Sequence, residues 1–318
     1  MRMVQHYDQL KGHCVSNLSQ SVRVCVGLVA SGAGINMALA AGTAPIPNFA
    51  PNPSVSWVAV QGGFKPPNSG AGPVQDDPNH PTVTNDDFRL TGKQPTWPVA
   101  DLSNPILRPW VKEALRKHNE IVLSGAPGYG PRQSCWLVGT PAFLVAPVFR
   151  PIYIVQAPKE ILMTWLLDHQ TRHIYMDVPH STNPKPSYFG ESIGHYEDNS
   201  LIVDTIAIND KTVIDDYLTP HTDELHVVER YRMIDDGKTL EVKLRVEDPG
   251  AFTMPWDAVQ YFKRVEPGVA DNVNVISNDL TSGRSAAGPL TEESCAESTL
   301  SHLGQGALPV PHADKADF

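Results

Sequence analysis

Four ionisable residues in the second half of the chain sit where they could do acid or base work: Glu229 in "LHVVERYRM", Asp204 in "LIVDTIAI", His195 in "ESIGHYE" and His221 in "TPHTDEL". A carboxylate held among apolar neighbours is pushed toward neutral pH and can then pass protons, and an imidazole titrates there unaided. These four are the candidate catalytic residues, and Tyr231, Tyr196 and Trp256 are the candidate ligand contacts. Glu229 is the sharpest case, because it interrupts an apolar file. A buried carboxylate without a partner costs several kcal/mol, so it requires a cation or hydrogen-bond donors. His195, His221, Tyr231 and several arginines are on offer. Two readings follow: a satisfied polar cluster that pins the fold, or a tuned acid or base lining a pocket.

Two other patterns carry less than they show. "HVVE" has the residue types of a metal pair, but on a strand His226 and Glu229 face opposite sides. A metal site built from His180 or His221 would have to come from loops, and nothing in the sequence fixes its geometry; no metal is expected and no cofactor motif is present. Ser192, His195 and Asp204 include the types of a nucleophilic triad without the sharp strand-to-helix turn that exposes a serine.

Hairpins must position these residues. With Asp236-Gly237 at a turn, Met233 opposes Leu240, Tyr231 opposes Val242, Glu229 opposes Leu244 and Val227 opposes Val246. The reverse face carries His226, Arg230, Arg232, Glu241, Lys243, Arg245 and Glu247, as a solvated sheet surface does. A turn at Asp198-Asn199 sets Glu197 against Ser200 and His195 against Ile202. One face there holds Glu191, Ile193, His195, Ile202, Asp204 and Ile206, the other Ser192, Gly194, Tyr196, Leu201, Val203 and Thr205, and pattern alone leaves the inward face open. A third turn at His169-Gln170 sets Leu166 against His173, with Met163, Trp165, Leu167, Ile174 and Met176 as the more apolar face.

Eight strand-like runs between Ile152 and Val265, most joined by short turns, predict a mainly β protein: an antiparallel up-and-down barrel. Such a barrel has room for side chains or one small ligand. One helix precedes it, with Asn104-Pro105 at its start, a kink at Pro109, and Ile106, Leu107, Trp110, Val111, Ala114 and Leu115 on one face. Residues 41–102 are rich in Pro, Gly and Asn and read as an arm or linker, in which only "VSWVAV" could add a short strand. The domain then spans 103–266, and 267–318 reads as a disordered tail.

Residues 1–40 read as a signal peptide: Arg23, an apolar run, and Ala38-Leu39-Ala40 as the cleavage site, so the mature protein is expected in the periplasm or outside the cell. Cleavage leaves Cys135 and Cys295, too few for a disulfide framework. The formal charge of −10 over 318 residues argues against a nucleic-acid partner, and no run is long enough for a transmembrane helix. Oligomeric state is not legible.

With "PSYFGESIGHYEDNSLIVDT", "PHTDELHVVERYR" and "LEVKLRVEDPGAFTMPW", the chain resembles a group of secreted bacterial proteins described as lipocalin-like barrels. The resemblance covers about 131–264 and implies the barrel and export; it brings no activity with it. Glu191 and His195 stand at variable places of that pattern, which ranks Asp204 and Glu229 above His195. The leading expectation is an exported barrel that binds a small, partly apolar molecule in its mouth or lumen. The alternative is a general acid/base enzyme, a lyase, isomerase or hydrolase, acting on such a molecule. A third role, structural or in envelope assembly, would be favoured by a lumen without a cavity.

Overall fold

Alternation of apolar and polar residues builds nine strands: β1 (Ser56–Ala59), β2 (Ile152–Gln156), β3 (Glu160–Trp165), β4 (Thr171–Met176), β5 (Glu191–Glu197), β6 (Ser200–Ile206), β7 (His226–Ile234), β8 (Thr239–Glu247) and β9 (Trp256–Val265). Each pairs with the next, and β1 pairs with both β2 and β9, so the sheet is a closed barrel. The computed structural model describes residues 46–265, apart from 53–54, 61, 127, 129, 132–135, 146–150 and 166–169. The expected signal peptide, the expected tail and all four cysteines lie outside the described residues.

Nine is one more than the sequence pattern predicts, and the extra strand comes from the segment read as an arm. β1 closes the ring, with Ser56 opposite Val265 and Ala59 opposite Phe262. Its anchor is Trp57, which is 1% exposed and donates its indole N–H to the Phe49 carbonyl at 3.0 Å. Phe49, Val55, Phe64 and Val74 from the same proline-rich stretch are also buried. Within 46–102, β1 is thus barrel wall, and Phe49, Val55, Phe64 and Val74 join the core.

An all-antiparallel ring needs an even number of strands, because directions must alternate around it. Nine strands therefore force a parallel pair, and it falls between β4 and β5, with Ile174 opposite Ser192 and Met176 opposite Gly194. A parallel pair requires a crossover of a dozen or more residues. Residues 177–190, broken by Pro179, Pro184 and Pro186, supply it. The barrel is accordingly not a pure up-and-down meander.

The two hairpins around Glu229 and Asp204 have the expected registers, Glu229↔Leu244 and His195↔Ile202. The β3–β4 hairpin does not. Leu162, not Leu166, opposes His173, and the turn closes near Trp165, whose N–H donates to the Gln170 carbonyl at 2.9 Å. Its inward face is nonetheless the apolar one, with Met163, Trp165, Ile174 and Met176 buried.

A short helix, α1 (Asn85–Thr91), is held at its start by a capping box between Thr84 and Asp87. The longer α2 spans Pro109–Leu123 and starts later than expected, since proline fits the first helical position without a kink. Ile106 and Leu107 are buried ahead of it, and Val111, Leu115 and Asn119 form its inner face. Asn119 is there because its amide both donates to and accepts from the Ala100 backbone, at 2.8 and 2.9 Å. Trp110 donates to the Gly250 carbonyl and Arg108 to that of Pro249, which docks α2 on the β8–β9 corner. Gly250 has no room for a side chain there, as a Cβ would lie 2.6 Å from Thr222.

Among the described residues, the part of the lumen around Leu144 is filled. Leu144, from a 3-10 turn over Ala142–Leu144, packs among Trp57, Ile152, Ile154, Met163, Tyr231, Leu240 and Phe262. The void left between them is about 10 Å³, room for one water at most.

If β1 belongs to the barrel, Trp57→Ala should lower unfolding stability by about 3–5 kcal/mol, the usual cost of emptying a buried aromatic site. Urea denaturation followed by circular dichroism measures it; a stability equal to that of the parent would return the segment to the role of a linker.

Candidate functional site

Alternation on β7 sends Val227, Glu229 and Tyr231 into the barrel, and the facing residue on β4 is Arg172. Both charged residues are fully buried, so the carboxylate that opened the question has its cation. The guanidinium grips Glu229 with two nitrogens, at 2.9 and 2.5 Å. Its remaining donors reach Ser192 Oγ at 3.1 and 3.2 Å and Thr205 Oγ1 at 2.8 Å, while the Tyr231 hydroxyl donates to Glu229 at 3.1 Å. Burial works against the Arg172 charge, but the Glu229 carboxylate outweighs it and holds the pKa above its ordinary value. Burial and then the same carboxylate push the Tyr231 phenol well up, so its O–H remains a donor. Every ionised atom in this cluster has a partner, and no cavity of ligand size adjoins it among the described residues.

The other candidates are scattered. On β5 and β6 the inward file is Ser192, Leu201, Val203 and Thr205, which puts His195 and Asp204 on the outer face. His195 is mostly exposed, 3.8 Å from Glu197. His221, in the β6–β7 loop, is buried; its Nδ1–H donates to the Thr222 carbonyl at 2.8 Å and Nε2 faces the Thr212 hydroxyl at 2.7 Å. Burial lowers its pKa, which keeps it neutral. Tyr196 takes a hydrogen bond from Gln156 at 2.9 Å, and the same Gln156 amide binds the Phe49 N–H and the Pro47 carbonyl. Trp256 stacks edge-on with Phe252 at 5.8 Å. Of the sequence candidates, Glu229 meets Tyr231, and the acid/base set does not converge on one centre.

Asp204 instead anchors a clasp that sequence reasoning missed. His226, outward on β7, and His180, in the crossover, both approach the same Asp204 oxygen, at 2.9 and 3.1 Å. His180 also meets Glu191 at 3.0 Å, and the Ser181 N–H and hydroxyl bind that carboxylate too. The clasp straps the crossover to the barrel wall. The hydrogen bond from His226 holds Asp204 below its usual value, and Asp204 in turn raises His226. Among the described residues no His, Cys, Asp and Glu group has the arrangement of a metal site. Away from these residues, burial raises the Asp215 carboxyl to about 7. It closes its own loop, accepting from the Thr219 backbone and hydroxyl and the Tyr217 backbone.

A groove of about 620 Å³ lies on the outside of β6–β9, walled by Lys65, Pro66, Pro67 and Asn68. Ile202, Val228 and Val259 give it an apolar floor, and Tyr261 adds a ring. Four basic residues line it, Lys65, Arg230, Lys243 and Arg245, against two acidic ones, Glu241 and Asp257. One signal for it was legible in the β7–β8 hairpin: Arg230 lies directly opposite Lys243, a like-charge pair that weakens a sheet.

The clasp makes a signed pH prediction. His226 has a folded pKa above its ordinary 6.5, so its contribution is complete below that pH and fades as pH rises through the raised value. Asp204 has a folded pKa below 3.8, so its contribution is complete above that and is lost as pH falls through the lowered value. The stability difference between the parent and His226→Gln should therefore be largest between those two limits and shrink on either side, as measured by urea titrations across pH; a difference independent of pH would break the clasp. Compared with known proteins, the chain matches no family model and no curated protein, and the residues themselves carry its functional reading.

Proposed function

We propose that this is a binding protein for a small, partly apolar molecule, held in the outer groove and not in the lumen, and that it works after export to the periplasm or beyond. The observation that carries this reading is the groove itself: its volume of about 620 Å³ falls within the range of small-ligand sites, and its apolar floor is ringed by a few polar groups. The small void around Leu144 counts against a ligand in that part of the lumen and, taken alone, favours a role in envelope assembly; the groove is what supports binding. Catalysis is less well supported, because Glu229, Asp204, His195 and His221 are all absent from the groove lining.

Val259 forms the floor and is only half-buried, so Val259→Glu spoils the apolar surface while sparing the core. N-phenyl-1-naphthylamine, an uncharged aromatic that brightens in apolar sites, should bind the parent saturably. Affinity should fall at least about tenfold in Val259→Glu, the effect of about 1.4 kcal/mol, with an unchanged melting temperature. Absence of saturable binding, or equal binding by the variant, would refute the groove as the site.

A further inference from the structure

We infer that the groove is selective for anions, and that its ligand carries a carboxylate, sulfonate or phosphate head on an apolar or aromatic body. This rests on the groove being the binding site. Strand registers place His195, Ile202, Arg230, Lys243, Val259 and Lys65 in one row across the outer wall, each opposite the next. Three cations thus stand in one line on a chain whose formal charge is −10. They are not equally engaged. Arg230 is neutralised by a close hydrogen bond to Glu197. Arg245 is shared between Glu247 at 2.9 Å and Asp257 at 3.3 Å.

Lys243 is different, since its carboxylate contact is with Glu241 at 3.7 Å, and Glu241 already accepts from Arg232 at 2.9 Å. Lys65 has no ion pair among the described residues and lies over the Tyr261 ring at 5.3 Å. The two lysines flank Val259, one on each neighbouring chain, so their backbones are about 10 Å apart, twice the strand spacing. Both side chains line the groove with Val259, and their four-carbon stems are long enough to swing the ammonium groups over it from either side. An anion seated there would be bound by two ammonium groups, in place of the distant Glu241 contact of Lys243, with its apolar body on Val228 and Ile202. The Pro66-Pro67 wall makes this a slot for a free small molecule.

The test compares two probes with a common aromatic body: 1-anilinonaphthalene-8-sulfonate, which is anionic, and uncharged N-phenyl-1-naphthylamine. The sulfonate should bind the parent at least about tenfold tighter and weaken with added salt, since the charges are exposed. In the Lys65→Gln/Lys243→Gln double variant the ratio of sulfonate to neutral-probe affinity should fall to about one. A neutral probe that binds as tightly as the sulfonate, or a preference that survives the double variant, overturns the anion assignment and leaves the groove standing. If neither probe binds, the groove reading falls and takes the anion assignment with it.

Discussion

Inside the barrel an ion pair spans the wall: Arg172 on β4 reaches Glu229 on β7, and on the way it binds Ser192 on β5 and Thr205 on β6. Four consecutive strands are tied by one guanidinium, including the parallel β4–β5 pair that an odd-stranded ring cannot avoid. A buried ion pair contributes little net stability, because desolvating two charges offsets most of their attraction. Its effect is on specificity. A slip of one residue in β4 or β7 would turn Arg172 or Glu229 to the outside and strand its partner in the core, and one in β5 or β6 would take Ser192 or Thr205 from the guanidinium. The parallel junction has the fewest ladder bonds among the later strands to fix it, with three registered pairs, and gains most from such a lock.

The same cluster decides where chemistry can go. Arg172, Glu229 and Tyr231 satisfy one another and the void beside Leu144 and Tyr231 is about 10 Å³, so among the described residues this part of the lumen offers neither ligand-sized volume nor a free acid. What remains available is the outer wall. There the sheet carries two separate devices: the Asp204 clasp that straps the crossover, and the cationic groove over β6–β9. Within the groove Arg230 lies opposite Lys243, a like-charge pair that the hydrogen bond from Arg230 to Glu197 relieves.

Much of the barrel was legible because hairpin registers follow from turn residues. Asp198-Asn199 and Asp236 all adopt positive φ, as tight turns require, and the alternation on either side follows from them. Glu229 pointing inward was legible for the same reason. Its partner was harder to see, although Arg172 alternates with Ile174 and Met176 and so belongs to the inward file; the loops between β4 and β7 hide which rows meet across the barrel. The His180–Asp204–His226 meeting was invisible on the same ground, since it depends on the path of a proline-rich crossover. β1 was half legible: "VSWVAV" could add a short strand, but it lies among prolines that read as a linker, and closure of the ring against β9 is what gives Ser56–Ala59 a place in the barrel.

A double-mutant cycle in unfolding free energy tests the central claim, that Glu229 is the anion of a structural lock, most directly. Arg172→Met and Glu229→Leu should each cost about 3–5 kcal/mol by stranding the other charge. The double variant should cost far less than the sum, with a coupling of about 2–3 kcal/mol or more, because two apolar residues then fill the space without an orphaned charge. Single variants that add without coupling, or a Glu229→Leu protein that melts like the parent but no longer binds its ligand, would contradict the lock and return Glu229 to a functional role.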